Sequence, residues 1–380
     1  MELFNRYLEK SLKERISSGK IVVLYGPRQV GKTTLIQQIL KSIPGKILTV
    51  NADEQRNIDA FSSRDLSKMK SLVAGYDVLF IDEAQRIPEA GINLKILHDG
   101  LPQLMIIVTG SSSLELAGKI NEPLTGRTWT HVLFPISLLE LSVQWTNYEI
   151  IEQRENLLLY GSYPGILSRQ NIIERRELLM ELSRAYLYKD ILAIGNIRHS
   201  EKIKDLLLLL AYQIGSEVSF SELGKQLSIS KDTVADYINL LEQCFIVFRL
   251  SGFSRNLRKE VSKMDKIYFW DTGIRNSVIE NFKPLEKRDD AGRLWENFLV
   301  SERLKWISYT GTEAHPYFWR TYTGAELDYV EDTPQGLKGY EMKLRAKNPK
   351  APKTWIETYP DSSFSAADQD NFIEFCTGRV

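Results

Sequence analysis

The sequence predicts an α/β protein built on a parallel sheet, and three observations predict it. Short β-rich runs, Ile21–Tyr25, Lys46–Val50, Val78–Ile81 and Leu104–Val108, alternate with helix-like stretches between Lys20 and about Val132, as strands do when covering helices join them. A glycine-containing octapeptide separates the first run from the helix after it, and the third run ends in two adjacent carboxylates, Asp82 and Glu83.

The rest of the chain reads differently. Between Asn156 and Gly215 the pattern turns helical, with Glu177–Ile194 and Glu201–Ile214 carrying apolar residues at three- and four-residue spacing after the turn Gly161-Ser-Tyr-Pro-Gly165. Ser219–Trp270 reads as two short helices and a hairpin, and Arg293–Glu341 as one helix followed by three strands. These shifts divide the chain into 1–150 for the sheet domain, 151–215 for a helical connector or lid, 216–284, and 285–380.

Composition narrows the function classes. The 380 residues are 43% apolar and 26% charged, ordinary globular values, and the 49 basic residues equal the 49 acidic ones. No global field therefore draws the chain to nucleic acid or an anionic membrane, and any such contact must be a local patch. Cys244 and Cys376 have no redox or metal-ligand spacing, which suits a reducing, cytoplasmic setting. Met1–Ile16 is too charged for a signal peptide, and the longest apolar runs, such as Leu206–Tyr212, are far shorter than the roughly 20 residues that cross a bilayer.

Gly26-Pro27-Arg28-Gln29-Val30-Gly31-Lys32-Thr33, with Thr34 after it, fits the eight-position phosphate loop and lies between a strand and the helix Thr33–Leu40, the context the motif needs. The glycines let backbone wrap phosphates, the amides and helix start supply positive potential, Lys32 reaches the terminal phosphates, and Thr33 coordinates magnesium. ATP with Mg2+ is the expected ligand. Asp82 is then placed to hold magnesium through water and Glu83 to polarise the attacking water. Thr109 or Ser111, in the Thr109-Gly110-Ser111-Ser112-Ser113 stretch after the next strand, is placed to sense the γ-phosphate. Arg127 is suited to act in trans across a self-association contact or to pair with a carboxylate in cis, and Arg28 is a competing guanidinium.

Ser219-Phe-Ser-Glu222 is a capping pattern for one short helix, and Ser230 can cap a second whose apolar face is Val234, Tyr237, Ile238 and Leu241. Two strands after it, with Arg255, Arg258, Lys259 and Lys263 between them, complete the pattern of a winged helix. Lys231, Thr233, Asn239, Arg255, Arg258 and Lys259 are its candidate DNA contacts, opposed by Asp232, Asp236 and Glu242. Further on, Glu296, Asp328 and Glu341-Met-Lys343 offer carboxylates and a lysine of the kind that binds a divalent cation at Asp328 and Glu341 and activates water on a phosphodiester. The set looks like the PD-(D/E)xK nuclease arrangement.

Nearly the whole chain resembles a bacterial and archaeal family of AAA-type ATPases that join a P-loop core to a winged helix and a nuclease-like C-terminal domain. The resemblance rests on Gly26–Thr34, Asp82-Glu83-Ala-Gln85, Thr109-Gly-Ser-Ser112, Gly126-Arg127, Tyr186-Leu-Tyr-Lys-Asp190, Tyr268-Phe-Trp-Asp-Thr-Gly273, Glu326-Leu-Asp328 and Glu341-Met-Lys343. It implies the P-loop ATPase fold, ATP binding and hydrolysis, and action on DNA, with a signalling or assembly ATPase that binds protein partners as the alternative.

Overall fold

The computed structural model describes residues 4–111, 124–195, 200–255, 264–345 and 349–379, with no side-chain detail for 185–200. It divides into two compact units, one ending at Pro135 and taking in Gln243–Phe245, the other made of Ile136–Glu242 and Ile246–Val380.

The first unit is a five-stranded sheet in the order β2-β3-β4-β1-β5, every neighbouring pair parallel. Its strands are β1 (Ile21–Tyr25), β2 (Ile47–Asn51), β3 (Val78–Asp82), β4 (Met105–Gly110) and β5 (Thr128–Val132). β1 is buried at every position and β3 at all but its last, as central parallel strands covered on both faces must be. The helices Lys32–Leu40 and Ala90–Gly100 turn Leu35, Ile36, Ile39, Leu94 and Leu97 into the core. β5 pairs only with β1 and is half-exposed along its length.

In the second unit, the helices Asn147–Tyr160, Ile172–Gly195 and Ser200–Tyr212 precede a pair of short ones, Phe220–Leu227 and Lys231–Gln243. Ser219 caps the first of that pair, accepting from the Glu222 amide at 3.4 Å, and Ser230 accepts from Thr233 at 3.0 Å at the start of the second. A three-stranded antiparallel sheet flanks that pair, β6 (Glu217–Val218) before it and β7 (Val247–Ser251) and β8 (Asp265–Phe269) after it, in the spatial order β6-β8-β7. The last portion packs the helix Ala291–Thr310 with a sheet ordered β12-β11-β10-β9, from β9 (His315–Arg320), β10 (Glu326–Thr333), β11 (Gly336–Met342) and β12 (Ser363–Ala367). Trp319 and Trp355 meet edge-to-face at 5.1 Å in its core with Phe253, Leu327 and Tyr359. Among the described residues no helix is long and apolar enough to cross a membrane.

Candidate nucleotide site and a second acidic cluster

Strands β1, β3 and β4 end at the same edge of the first sheet. Leu24 is level with Thr109 and Ile81 with Val108, so Asp82 arrives beside Thr109, just short of the loop that leaves Tyr25. Gly26 opens that loop with φ +143°, and a Cβ there would lie 2.0 Å from the Leu133 carbonyl oxygen, so only glycine fits. Gln29 (φ 58°) and Gly31 (φ 94°) complete a left-handed curl into the helix at Lys32, leaving the first helical amides turned toward the loop, an anion-binding arrangement. Pro27 and Val30 are buried, Arg28 is half-buried, and Gln29 and Thr34 are exposed.

The charged and hydroxyl groups converge on this edge. Buried Lys32 donates from Nζ to the carbonyls of Gly26 at 2.8 Å and Pro27 at 2.6 Å. The Thr33 hydroxyl donates to Asp82 Oδ2 at 2.8 Å, and the Thr109 hydroxyl donates to Asp82 Oδ1. Glu83 sits in a left-handed conformation at φ 56°, uncommon for a residue with a Cβ and a recurrent feature of functional turns. Its carboxylate accepts from the Gln85 side-chain amide, which also reaches the Ser111 hydroxyl at 3.1 Å. Because a carboxylate can only accept, the Gln85 nitrogen must face Glu83, and its buried Oε1 has no hydrogen-bond partner among the described residues. Thr33 and Asp82, already in contact, suit a magnesium ion held by a hydroxyl and, through water, a carboxylate.

Arg6 carried no motif signal, yet its buried guanidinium donates to the Val30 carbonyl at 2.6 Å and to Phe134 O at 2.6 Å, clamping the phosphate loop to the strand end beyond β5. Arg127 is the reverse case. Its carbonyl accepts from the Ile21 amide at 2.9 Å, at the start of β1, so it lies at the opposite edge of the sheet from Gly26, about 16 Å away at 3.3 Å per residue. Its guanidinium grips Asp99 through Nε at 2.8 Å and Nη2 at 3.2 Å, and that bond holds the Asp99 carboxyl below its ordinary range. The cis pairing expected of Arg127 is therefore with Asp99, and a cis role at the phosphates is excluded by distance.

The second unit gathers the C-terminal set. The pairing of β10 with β9 shifts register between Leu327 and Val330, and this irregularity contains Asp328; such bulges re-aim side chains. Tyr329 faces Tyr340 across β10 and β11, which puts Asp328 level with Glu341, and Asp328 Oδ2 accepts from the Met342 amide at 2.7 Å. Lys343 Nζ lies 2.5 Å from Glu341 Oε1. Glu296 takes two donors from β8: the Tyr268 hydroxyl at 2.6 Å and Lys266 Nζ at 3.1 Å on the same oxygen. Burial pushes the Glu296 and Glu341 carboxyls up, and the facing Asp328 charge adds to both. Burial alone would lower Lys266, but the Glu296 and Asp328 charges outweigh it and hold its pKa above the ordinary value.

This set does not fit the divalent cation expected at Asp328 and Glu341. Each carboxylate has an internal partner, and among the described residues no three His, Cys, Asp or Glu side chains are grouped to hold a metal. The sequence assigned Lys266 no role and placed Tyr268 only in the Tyr268–Gly273 segment, although a lysine two residues before a tyrosine on one face of a strand was a visible signal.

The candidate DNA contacts are dispersed. Lys231 is exposed, and the Thr233 hydroxyl is bonded to Ser230 at 2.8 Å. Asn239 instead accepts from Arg249, which also pairs with Glu242 at 2.6 Å, so its amide is committed within the fold. Arg255 is exposed, 3.3 Å from Asp332 on β10 and 5.6 Å over the Phe253 ring. Arg258, Lys259 and Lys263 lie outside the described residues, as do Ser112 and Ser113 and the side chains of Tyr186–Asp190.

Comparison with known proteins agrees with this geometry. Residues 18–142 match the family model described as an AAA domain, 151–285 a domain of unknown function (DUF8612), and 291–377 another (DUF4143). An uncharacterized protein of Mycobacterium tuberculosis is 27% identical over 336 residues, covering 87% of this chain and 72% of that protein. An uncharacterized protein of Methanocaldococcus jannaschii is 25% identical over 409 residues, covering 97% and 89%. Among solved structures, the Walker-type ATPase of Pyrococcus abyssi superposes with a TM-score of 0.51 at 16% identity, over 73% of this chain and 96% of that one. The first unit is a P-loop nucleotide-binding fold of the AAA type.

Proposed function

We propose that the chain hydrolyses ATP with magnesium and couples turnover to work on DNA. Hydrolysis rests on one observation: Thr33, Asp82 and Thr109, from three separate elements, are joined by hydrogen bonds beside the Lys32 loop, with Glu83 next to them. The loop amides and the Lys32 ammonium bind the β- and γ-phosphates, and Thr33 and, through water, Asp82 would hold a magnesium ion, which would supply charge neutralisation there. Glu83 orients the attacking water and takes its proton, and Thr109 or Ser111 reports the γ-phosphate from the end of β4.

The DNA assignment rests on the capped helix pair and the antiparallel sheet after it, read as a winged helix over 216–284, with 285–380 read as a nuclease-like fold that grips rather than cuts. The second reading, an assembly ATPase whose winged helix binds protein, is favoured by the internal bonds of Asn239 and Arg255 and by exposed Asp232 and Asp236 on the second helix. Phosphate release from ATP by the purified chain, with duplex-DNA binding measured across salt concentrations, separates them. DNA action requires a steep loss of affinity with salt. Turnover without salt-dependent binding leaves the protein-partner reading, and no turnover removes both.

A further inference from the structure

Asp328 and Glu341 face each other across β10 and β11, and like charges directly opposite on a sheet repel. Glu296 adds a third carboxylate, coupled electrostatically to Asp328. All three are oxygen-only ligands of the kind that hold a hard divalent cation, although with Lys266 among them they are not grouped to hold one. The chain answers this negative charge from within. Lys343 pairs with Glu341 from the same strand end, but Lys266 comes from a distant element, β8, and is itself only 8% exposed. Its ammonium lies 3.1 Å from Glu296 Oε1, within the field of Asp328 and 5.4 Å over the Phe318 ring. Tyr268, two residues on and on the same face of β8, fixes the shared oxygen of Glu296 at 2.6 Å. Gly215 closes the other side: a Cβ there would come within 3.4 Å of that oxygen.

We propose that Lys266 is a built-in cation that replaces a metal ion in the C-terminal acidic cluster, so that the cluster is metal-free in the native protein and the three-stranded sheet is latched to it. The charges support the substitution. Lys266 is bonded to Glu296 and lies in the fields of Asp328 and Glu326, while Lys343 pairs with Glu341, so loss of Lys266 leaves an acidic excess that a divalent cation would meet. A buried charge cluster stripped of its partner is costly, and a metal ion is the ready replacement. The inference concerns the second unit alone and stands or falls independently of ATP hydrolysis at the phosphate loop.

The test is manganese binding by the full chain without nucleotide, followed by electron paramagnetic resonance and by thermal unfolding. Wild type and Lys266→Arg are expected to show no saturable Mn2+ site, and no Mn2+-dependent rise in melting temperature, that depends on Asp328. Lys266→Met is expected to acquire one site, about 100-fold tighter than any wild-type binding, that disappears when Asp328→Asn is added. Lys266→Gln, which keeps a hydrogen bond to Glu296 without the charge, should acquire the same site. Should neither neutral variant fold unaided, Mn2+ must restore folding. Asp328-dependent Mn2+ binding by wild type overturns the proposal, as does failure of both neutral variants to bind or to refold with the metal.

Discussion

At the end of β3, Asp82 is met by two hydroxyls, Thr33 and Thr109, whereas Asp328, in the irregular part of β10, lies in the fields of two lysines drawn from different elements. The first carboxylate keeps neutral donors that a cation can displace or share, and the nearby ammonium of Lys32 rests on backbone carbonyls of its own loop. The second has its countercharge built in. A carboxylate met by hydroxyls can share them with an incoming cation, while one in the field of buried lysines already has its charge compensated, because an uncompensated buried charge is too costly to keep. The residue types at the two places are similar, so the partners and not the acids distinguish a ligand site from a latch.

The largest effects that would break this comparison are at the open site. Lys32→Ala removes the ammonium assigned to the terminal phosphates, and ATP affinity measured by calorimetry should fall by about 100-fold or more. Glu83→Gln keeps the shape and loses the base, so ATP should bind as in wild type while turnover falls by about 100-fold or more. A Glu83→Gln protein turning over at the wild-type rate would remove Glu83 from the chemistry.

In the second unit acid should act on Asp290, whose carboxylate is bound by two guanidinium groups. Burial would raise the Asp290 carboxyl, but Arg288, with Nε 2.8 Å from one oxygen and Nη2 2.8 Å from the other, and Arg275 together lower it from 3.8 to about 2. A lowered pKa in the folded chain stabilises above the unfolded value, and that contribution is lost as pH falls from about 4 through about 2. Its size is on the order of 1–2 kcal/mol after solvent screening. Thermal unfolding followed in that window should show the loss in wild type, and Asp290→Asn should be less stable at neutral pH with a flatter acid dependence.

Legibility in the sequence followed the range of the interactions. β1 has the ends its apolar run predicted, Ile21 and Tyr25, and the phosphate loop and acidic pair lie where local pattern placed them, because each is specified within a few residues. β5 did not show, since Thr-Trp-Thr-His-Val is a half-exposed edge strand without a continuous apolar run. The convergence of Asp328, Glu341 and Lys343 could be anticipated from strand alternation, but the Lys266–Glu296 contact joins residues 30 apart on a strand and a helix. Spacing along the chain carries no information about such a pair. For the same reason the sequence left Arg127 between a role in trans and a carboxylate partner in cis without naming that partner, since Asp99 stands 28 positions earlier at the end of a helix.

Gln85 refines the account of the open site, with a smaller effect. Its amide joins Glu83 to Ser111, which under the proposed mechanism makes Gln85 a positioning residue between the base and the end of β4. Gln85→Leu and Ser111→Ala should each lower kcat about 10-fold with little change in KM for ATP, and the double variant should fall little further, since both cut one bridge. Additive losses, or a change confined to KM, would place the two residues in separate roles.

The smallest expected effect is at Arg127, and it decides whether a second subunit enters the open site. Within one chain Arg127 lies at the edge of the sheet remote from Gly26, bonded to Asp99 in an exposed pair. Exposed pairs contribute little to stability, so Arg127→Ala should leave the melting temperature of the isolated chain unchanged. If Arg127 completes a neighbour's site, turnover per chain must rise with protein concentration and then saturate, as the chains associate. Arg127→Ala would then hold turnover at the dilute-protein value at all concentrations, and Asp99→Asn, which frees the guanidinium, would raise it or leave it unchanged. Turnover per chain that is independent of concentration and identical in wild type and Arg127→Ala would confine Arg127 to its pair with Asp99 and make each phosphate loop self-sufficient.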